Sequence, residues 1–218
     1  MSGGNRGFTL IELMITLVIV AIGLALAIPS WSVLVEKREV TATAEEIVSF
    51  LGYARSEAVK RNENINVSWY AKGHSENWCI GLSAGDTICD CTVTNTAAAN
   101  FCDIDDVPQR LVQSDFVDMD YDFLHTHGDF NNDKVTLSFE PIRGILDIPA
   151  IQASGFATDL FDMLDGDDSN DYMFYLHSND KHDKKRLYEL QIWMNALGQA
   201  SICADDDRRS IIGGYPIC

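Results

Sequence analysis

The charge and composition of this chain exclude several function classes before any motif is considered. Its 218 residues include 33 acidic and 16 basic side chains, and the net charge of −17 at pH 7 argues against an electrostatic attraction to nucleic acid. Six cysteines, an even number, all follow an apolar N-terminal segment, which favours disulfides and an oxidising compartment outside the cytoplasm.

The first predicted element is a long helix whose N-terminal part is apolar. Between residues 8 and 28 the one ionisable side chain is Glu12. About 20 apolar residues span a bilayer, so residues 8–28 are predicted to form a transmembrane segment. A carboxylate inside such a segment costs on the order of 2.5–3.5 kcal/mol, which makes Glu12 a candidate functional residue.

Residues 1–7 precede this segment and are predicted to be a leader. Arg6 is positive and Gly7 is small, whereas a secretory signal peptide has its cleavage site after the apolar region. Cleavage between Gly7 and Phe8 would give Phe8 a positively charged amine, with which Glu12 of a neighbouring subunit could pair. An ordinary membrane anchor, or a buried helix with a chance glutamate, is the alternative.

Helical periodicity continues to about residue 61. The apolar residues recur every three, four or seven positions, as at Val40 and Ala44, with charged residues between them. Pro29 removes one helical hydrogen bond, and we expect a kink there. The polar residues 62–64 should end the helix.

From residue 65 onward the pattern changes to a period of two, in short runs rich in β-branched and aromatic residues. These runs predict mostly antiparallel strands at residues 65–70, 78–82, 110–113, 134–140, 172–177, 187–195 and 200–203. The longest connection, residues 84–106, carries three cysteines and is predicted to be a loop held by disulfides. The chain therefore divides into a leader (1–7), an N-terminal helix (8–62) and one β-rich ectodomain (63–218).

The N-terminal residues Gly7, Phe8-Thr-Leu-Ile-Glu12 and Pro29 resemble the motif of the type IV pilin and pseudopilin superfamily. The resemblance implies cleavage by a prepilin peptidase after Gly7 and N-methylation of Phe8. It also implies a helical filament held together by N-terminal helices, in which Glu12 sets the register. Before assembly the chain would be anchored in the bacterial inner membrane with its ectodomain in the periplasm, and afterwards it would lie in a pilus or pseudopilus.

Two stretches of the ectodomain narrow this resemblance to the GspH/FimT group, which includes FimT-like and FimU-like minor pilins. Val135-Thr-Leu-Ser-Phe-Glu-Pro-Ile-Arg-Gly144 is similar to a strand motif of that group, and Leu190-Gln-Ile-Trp-Met-Asn-Ala-Leu-Gly198 is similar to its terminal strand and turn. The resemblance implies an α+β type IV pilin fold, in which a long helix kinked at Pro29 packs on small antiparallel sheets.

Six cysteines allow 15 pairings, and the sequence does not choose among them. We expect Cys203 to pair with Cys218, because both lie at the chain end and closing a loop of that size contributes about 3 kcal/mol. The other four are expected to pair among themselves. They are Cys79, Cys89, Cys91 and Cys102. A zinc site built from these four is the alternative, although the single residue between two of them is not a usual zinc-ligand spacing.

Three motifs with possible chemistry have plainer interpretations. Gly81-Leu-Ser-Ala-Gly85 fits a nucleophile elbow, but a cysteine-rich loop follows in place of the helix that an elbow needs. The acidic stretches 129–133 and 165–171 have oxygen ligands as calcium loops do; they are interpreted as solvated polar loops, and weak calcium binding is the alternative. His125 and His127 would share a strand face but have no third ligand nearby. We therefore expect no catalytic residue, no metal and no cofactor.

The predicted function is structural, that of a minor type IV pilin that primes or caps pilus assembly and is not an enzyme. A pseudopilin of a type II secretion system is one alternative, and a tip receptor for DNA or a surface is another. Against DNA, residues 198–201 read Gly-Gln-Ala-Ser where DNA-receptor pilins of this group carry Gly-Arg-x-Arg, and Arg208 and Arg209 follow three aspartates. The expected partners are other pilin or pseudopilin subunits, the prepilin peptidase and the inner membrane, and not nucleic acid.

Overall fold

The computed structural model describes residues 8–71, 78–116, 134–145, 174–179, 186–195, 197–204 and 212–217. In that part of the chain one helix precedes nine strands. The elements in chain order are α1 (Leu10–Arg61), β1 (Ile65–Ala71), β2 (Trp78–Ala84), β3 (Asp103–Ile104), β4 (Val107–Pro108), β5 (Arg110–Val112), a 3-10 turn (Gln113–Asp115), β6 (Lys134–Phe139), β7 (Phe174–Asn179), β8 (Arg186–Met194) and β9 (Ala200–Ala204). The predicted α+β class is confirmed.

Helix α1 is continuous through Pro29 and ends after Arg61. It ends there because Asn62 adopts the left-handed conformation, with φ of 55°, and the Glu63 N–H then donates to the carbonyl of Ala58 at 3.3 Å. This pattern is typical of a helix C-terminus capped by a left-handed residue. The kink expected at Pro29 stays a prediction.

Taken over the described residues, the structure contains no helix that is both long enough and apolar enough to cross a membrane.

The chain divides into two units, residues 1–38 and residues 39–218. Within the second unit, helix α1 buries one apolar stripe against the sheets. The stripe residues are at most 4% exposed and follow helical spacing: Val40, Ala44, Ile47, Leu51, Ala54 and Ala58. A stripe of this kind is what a helix covering a sheet requires. The helical periodicity found in the sequence therefore marks the buried face of the helix.

The larger sheet has the strand order β5-β2-β1-β6, and all its pairs are antiparallel. Trp69 of β1 lies opposite Ile80 of β2, and both face the core that helix α1 covers. Strand β2 is buried at six of its seven positions, so its second face is covered as well. The cysteine-rich loop after β2 provides that cover, because its half-cystines pack against Cys79 on this face.

The smaller sheet has the order β7-β8-β9 and completes the core with alternate residues of β8, namely Leu190, Ile192 and Met194. The C-terminal segment returns to helix α1. There the Tyr215 hydroxyl donates to a carboxylate oxygen of Glu45 at 2.8 Å. Partial burial, followed by this hydrogen bond, raises the pKa of Tyr215 to about 12. A hydrogen bond from the neutral Tyr215 side chain thus links this segment to the helix.

One part of the predicted loop 84–106 is a strand instead. Strands β3 and β4 form a two-residue hairpin whose turn residues, Asp105 and Asp106, both have positive φ, at 54° and 63°. Two-residue strands are too short to give an alternating pattern, so the sequence did not reveal them. The Arg61 guanidinium lies 2.7 Å from the Asp105 carboxylate and holds the pKa of Asp105 below its usual value.

A carboxylate at the end of helix α1 should make the stability of the ectodomain depend on acid pH. Glu57 is buried and accepts hydrogen bonds from Lys60 at 2.9 Å and Arg61 at 2.6 Å. These two bonds, Lys60 first, hold the pKa of Glu57 below its usual value. A lowered pKa in the folded state gives stability that is present above about pH 4.5 and is lost as the pH falls through the lowered pKa.

We expect Glu57→Gln to reduce the free energy of unfolding at pH 7 by about 1 kcal/mol, since water screens the largely exposed Lys60. The difference from the wild type should shrink as the pH is lowered below 4. Urea unfolding at a series of pH values measures both quantities. Glu46→Gln, an exposed change on the same helix, is the matched control and should change neither.

Candidate functional site

The N-terminal part of helix α1 exposes an apolar surface. Every side chain from residue 8 to residue 24 is exposed. The large apolar ones are 54% to 83% exposed and comprise Phe8, Leu10, Ile11, Leu13, Met14, Ile15, Leu17, Val18, Ile19, Val20, Ile22 and Leu24. They lie on all sides of the helix, and such a helix is expected to be surrounded by lipid or by other helices. Residues 8–24, called the apolar helix below, form the main candidate functional site.

Glu12 is the one ionisable residue of the apolar helix, and the structure places it in the first helical turn. Its backbone N–H donates to the Thr9 hydroxyl at 3.3 Å, and the Leu13 N–H donates to the Thr9 carbonyl at 3.2 Å. Thr9 is therefore the N-cap residue. A carboxylate in the first turn also interacts favourably with the positive end of the helix dipole. The start of the helix thus suits a glutamate at position 12 before any subunit contact is made.

Thr9 is not among the site residues predicted above, although the sequence contains a signal for its role. Thr9-Leu-Ile-Glu12 has the spacing of a capping box, in which Ser or Thr is followed three residues later by Glu or Gln. Gly7 lies outside the described residues, and for Pro29 only the helical backbone is described. Cleavage after Gly7, methylation of Phe8 and the register-setting role of Glu12 stay predictions.

A second feature is a cluster of two disulfides on the outer face of the larger sheet. Cys79 pairs with Cys91, and Cys89 pairs with Cys102. All four residues are buried, and the described part of the chain contains no free cysteine. Because these four sulfur atoms form disulfides, they supply no thiolate for zinc. Cys203 is also disulfide-bonded, but its expected partner, residue 218, lies outside the described residues.

The disulfide cluster requires a glycine beneath it. Gly81 on strand β2 faces Cys91 and Cys102, and a Cβ atom at this position would overlap the Cys102 Sγ and lie 2.7 Å from the Cys102 Cβ. The loop above is held further by Arg110, which donates to the Val93 carbonyl at 2.7 Å and lies over the Phe101 ring. The exposed part of the loop, residues 94–97, is thus supported from below by covalent and polar contacts.

A third feature joins the two ectodomain motifs that suggested the GspH/FimT group. Gly144 and Gly198 both have positive φ, at 63° and 69°, and a Cβ on Gly198 would lie 2.7 Å from the Gly144 carbonyl oxygen and 2.9 Å from the Phe139 ring. Arg55 of helix α1 donates to the same carbonyl at 2.9 Å. We call Arg55, Phe139, Gly144 and Gly198 the glycine junction. It joins the helix, the end of β6 and the turn after β8.

Replacing Gly198 by alanine should destabilise the protein strongly. The change adds left-handed strain of about 1–2 kcal/mol and a clash with backbone, which cannot rotate away as a side chain can. We expect the free energy of unfolding to fall by about 3 kcal/mol or more. Urea unfolding measures the loss. Gly213→Ala is the matched control, because nothing lies within 4 Å of the added atom, and a loss as large in this control would show that the junction is not the cause.

The motifs with possible chemistry have these positions in the structure. Ser83 is buried, and its hydroxyl donates to the Thr87 carbonyl at 2.6 Å; a turn and an irregular loop follow it. Within the described ranges, no group of three or more His, Cys, Asp or Glu could hold a metal ion. The acidic stretches 129–133 and 165–171, the histidines at 125 and 127, and the arginines at 208 and 209 lie outside those ranges.

Two family models match the chain. The prokaryotic N-terminal methylation motif matches residues 3–28, and the type II transport protein GspH matches residues 43–171, which is more than half of the chain. No curated protein and no solved structure matches it. The two matches confirm the resemblance that rested on the N-terminal motif and on the strand motif ending at Gly144. The other ectodomain motif, residues 190–198, lies beyond the matched range.

Proposed function

The chain belongs to the GspH family of type II transport proteins, and on that premise we propose that it is a minor type IV pilin that primes or caps a pilus. Membership makes it a minor pilin or pseudopilin in general, and proteins of this family are structural. The finer assignment is our proposal. In it, the chain works by packing against other pilin subunits and catalyses no reaction.

The observation that carries this proposal is the apolar helix with its single carboxylate. An exposed apolar surface on all sides of a helix must be covered by lipid or protein, and Glu12 needs a positive partner once water is excluded. Cleavage between Gly7 and Phe8 would supply one, because it creates an amine four residues before Glu12. Before assembly the inner membrane would cover the helix, and afterwards the helices of neighbouring subunits would cover it.

A pseudopilin of a type II secretion system is the second candidate, and the description of the matching family model favours it. The disulfide cluster favours a pilus, since a loop supported in this way suits a position exposed on an extracellular filament. A tip receptor remains a third candidate through the same loop. DNA is a poor ligand for it, because the chain carries a net charge of −17.

Intact-mass and peptide mass spectrometry of the full chain, purified from native membranes, tests the processing on which the proposal depends. We expect the protein to begin at Phe8 with a methylated amine. The same chain purified from cells that lack their prepilin peptidase is the control and should keep residues 1–7. An N-terminus that retains these residues in the native cell would contradict the proposal.

A further inference from the structure

A set of three exposed apolar residues lies beside the glycine junction on the ectodomain. Its members are Val59 on helix α1, Ile142 in the turn after β6 and Leu197 in the turn after β8, which are 47%, 78% and 57% exposed. The junction brings the three elements together. Val59 Cγ2 would lie 3.1 Å from a Cβ on Gly144, and the carbonyl of Gly144 would lie 2.7 Å from a Cβ on Gly198. We call these three residues the junction patch.

Two arginines, Arg55 and Arg143, lie beside the junction patch. Arg55 binds a backbone carbonyl of the junction and, among the described residues, pairs with no carboxylate. Arg143 pairs with Glu140 at 3.1 Å, and the arginine side chain is 70% exposed but the glutamate only 25%. Lys60, next to the patch in sequence, is likewise far more exposed than its partner Glu57. At Arg143 and at Lys60 the carboxylate of the pair is more buried than the cation, whereas in the neighbouring Arg61–Asp105 pair the carboxylate is the more exposed group.

The exposed guanidinium of Arg143, and Arg55 with no carboxylate partner among the described residues, stand out in a chain whose net charge is −17. Strongly acidic subunits repel one another, so a contact between them is most favourable where one of them presents cations. Protein interfaces also combine an apolar centre with a polar rim, and arginine is enriched in them relative to the rest of the surface. The junction patch has this composition, because the exposed Arg143 directly follows the exposed Ile142 in the chain.

We propose that the junction patch is the docking surface for an acidic neighbouring subunit of the filament, whose carboxylates meet Arg143 and Arg55 and whose apolar side chains cover Ile142 and Leu197. This inference rests on the proposed function. A polyanion such as DNA would be attracted to the same cations but would leave the apolar side chains uncovered, because its phosphates offer them no apolar contact. The combination of apolar and cationic groups therefore favours an acidic protein.

Site-specific photocrosslinking of the full chain in its native cell tests the proposal. A photoreactive side chain replaces Ile142 in one variant and Ile88 in the other. Ile88 is the matched control, because it is an exposed isoleucine in the cysteine-rich loop. We expect position 142 to capture an acidic filament subunit with a yield about tenfold above that of position 88.

A charge reversal makes the test sharper. Adding Arg143→Glu to the variant with the photoreactive group at position 142 should reduce the yield about tenfold, whereas Glu46→Lys, a reversal on the exposed face of helix α1, should not. Equal capture at positions 142 and 88, capture of a basic protein, or capture of nucleic acid would overturn the proposal. A photoreactive side chain in place of Glu36 distinguishes failure of the docking surface from failure of the proposed function. Capture there but not at 142 refutes the docking surface alone, and capture at neither refutes filament membership as well.

Discussion

Replacing Gly81 by alanine should prevent the ectodomain from forming its native pair of disulfides or leave it strongly destabilised. The added methyl group would occupy the space of the Cys102 sulfur and lie 3.0 Å from the Cys91 Cβ. Neither half-cystine can rotate away, because each is held in a disulfide and buried. Overpacking a core costs about 1–3 kcal/mol, and the loss of one such cross-link costs about 3 kcal/mol more.

Urea unfolding of the oxidised protein, together with a count of free thiols, measures this result. We expect either a loss of about 3 kcal/mol or more in the free energy of unfolding or free thiols in the purified protein. Gly52→Ala is the matched control. It adds the same atom to an exposed helical site with nothing within 4 Å, and it should stabilise the protein by about 0.5–1 kcal/mol. Native stability and pairing in the Gly81 variant would contradict the described packing.

Replacing Glu12 by glutamine should remove the chain from filaments without altering its ectodomain. Removing one partner of a buried ion pair costs about 3–5 kcal/mol, so we expect the amount in sheared filament or pseudopilus fractions to fall about tenfold or more. Glutamine is chosen because it is as acceptable as glutamate at the third position of a capping box. The helix cap on Thr9 is therefore kept, and only the charge is removed.

Two further variants distinguish the effect of the Glu12 charge from the effects of the helix cap and of a charge elsewhere on the helix. Thr9→Ala removes the cap but keeps the charge, and it should reduce helix stability by about 1 kcal/mol with a much smaller effect on incorporation. Glu36→Gln makes the same chemical change further along helix α1 and should leave incorporation unchanged. Immunoblots of membrane and filament fractions give, for each variant, the ratio of the chain in filaments to the chain in membranes. Normal incorporation of the Glu12 variant would refute charge pairing at this residue.

The helix and the sheets could be predicted because each leaves a periodic pattern in the sequence. Apolar residues at helical spacing mark the face of α1 that is buried from Val40 to Ala58. Alternation marks β1, where Ile65, Val67 and Trp69 face the core. The hairpin of β3 and β4 could not be predicted, because two residues per strand hold no period and Asp-Asp is not a favoured hairpin turn.

The candidate sites depend on contacts between distant residues, and the sequence shows those only in part. The pairing of Cys79 with Cys91 and of Cys89 with Cys102 is one of several that the sequence allows. In the sequence Gly81 fits a nucleophile-elbow pattern, but in the structure the half-cystines packed against it explain why this residue is a glycine. Gly144 and Gly198 are 54 positions apart in numbering, so only the fold shows that their turns meet.

Photocrosslinking from position 36 of helix α1, in the full chain and in the native cell, tests filament membership most directly. Position 36 follows the apolar helix on the same element, and the captured neighbour is identified by mass spectrometry. A minor pilin should capture pilus subunits, and a pseudopilin should capture subunits of the secretion filament. Capture of neither kind, at a position where the photoreactive side chain is present and the protein accumulates normally, would contradict the proposal that this chain is a filament subunit.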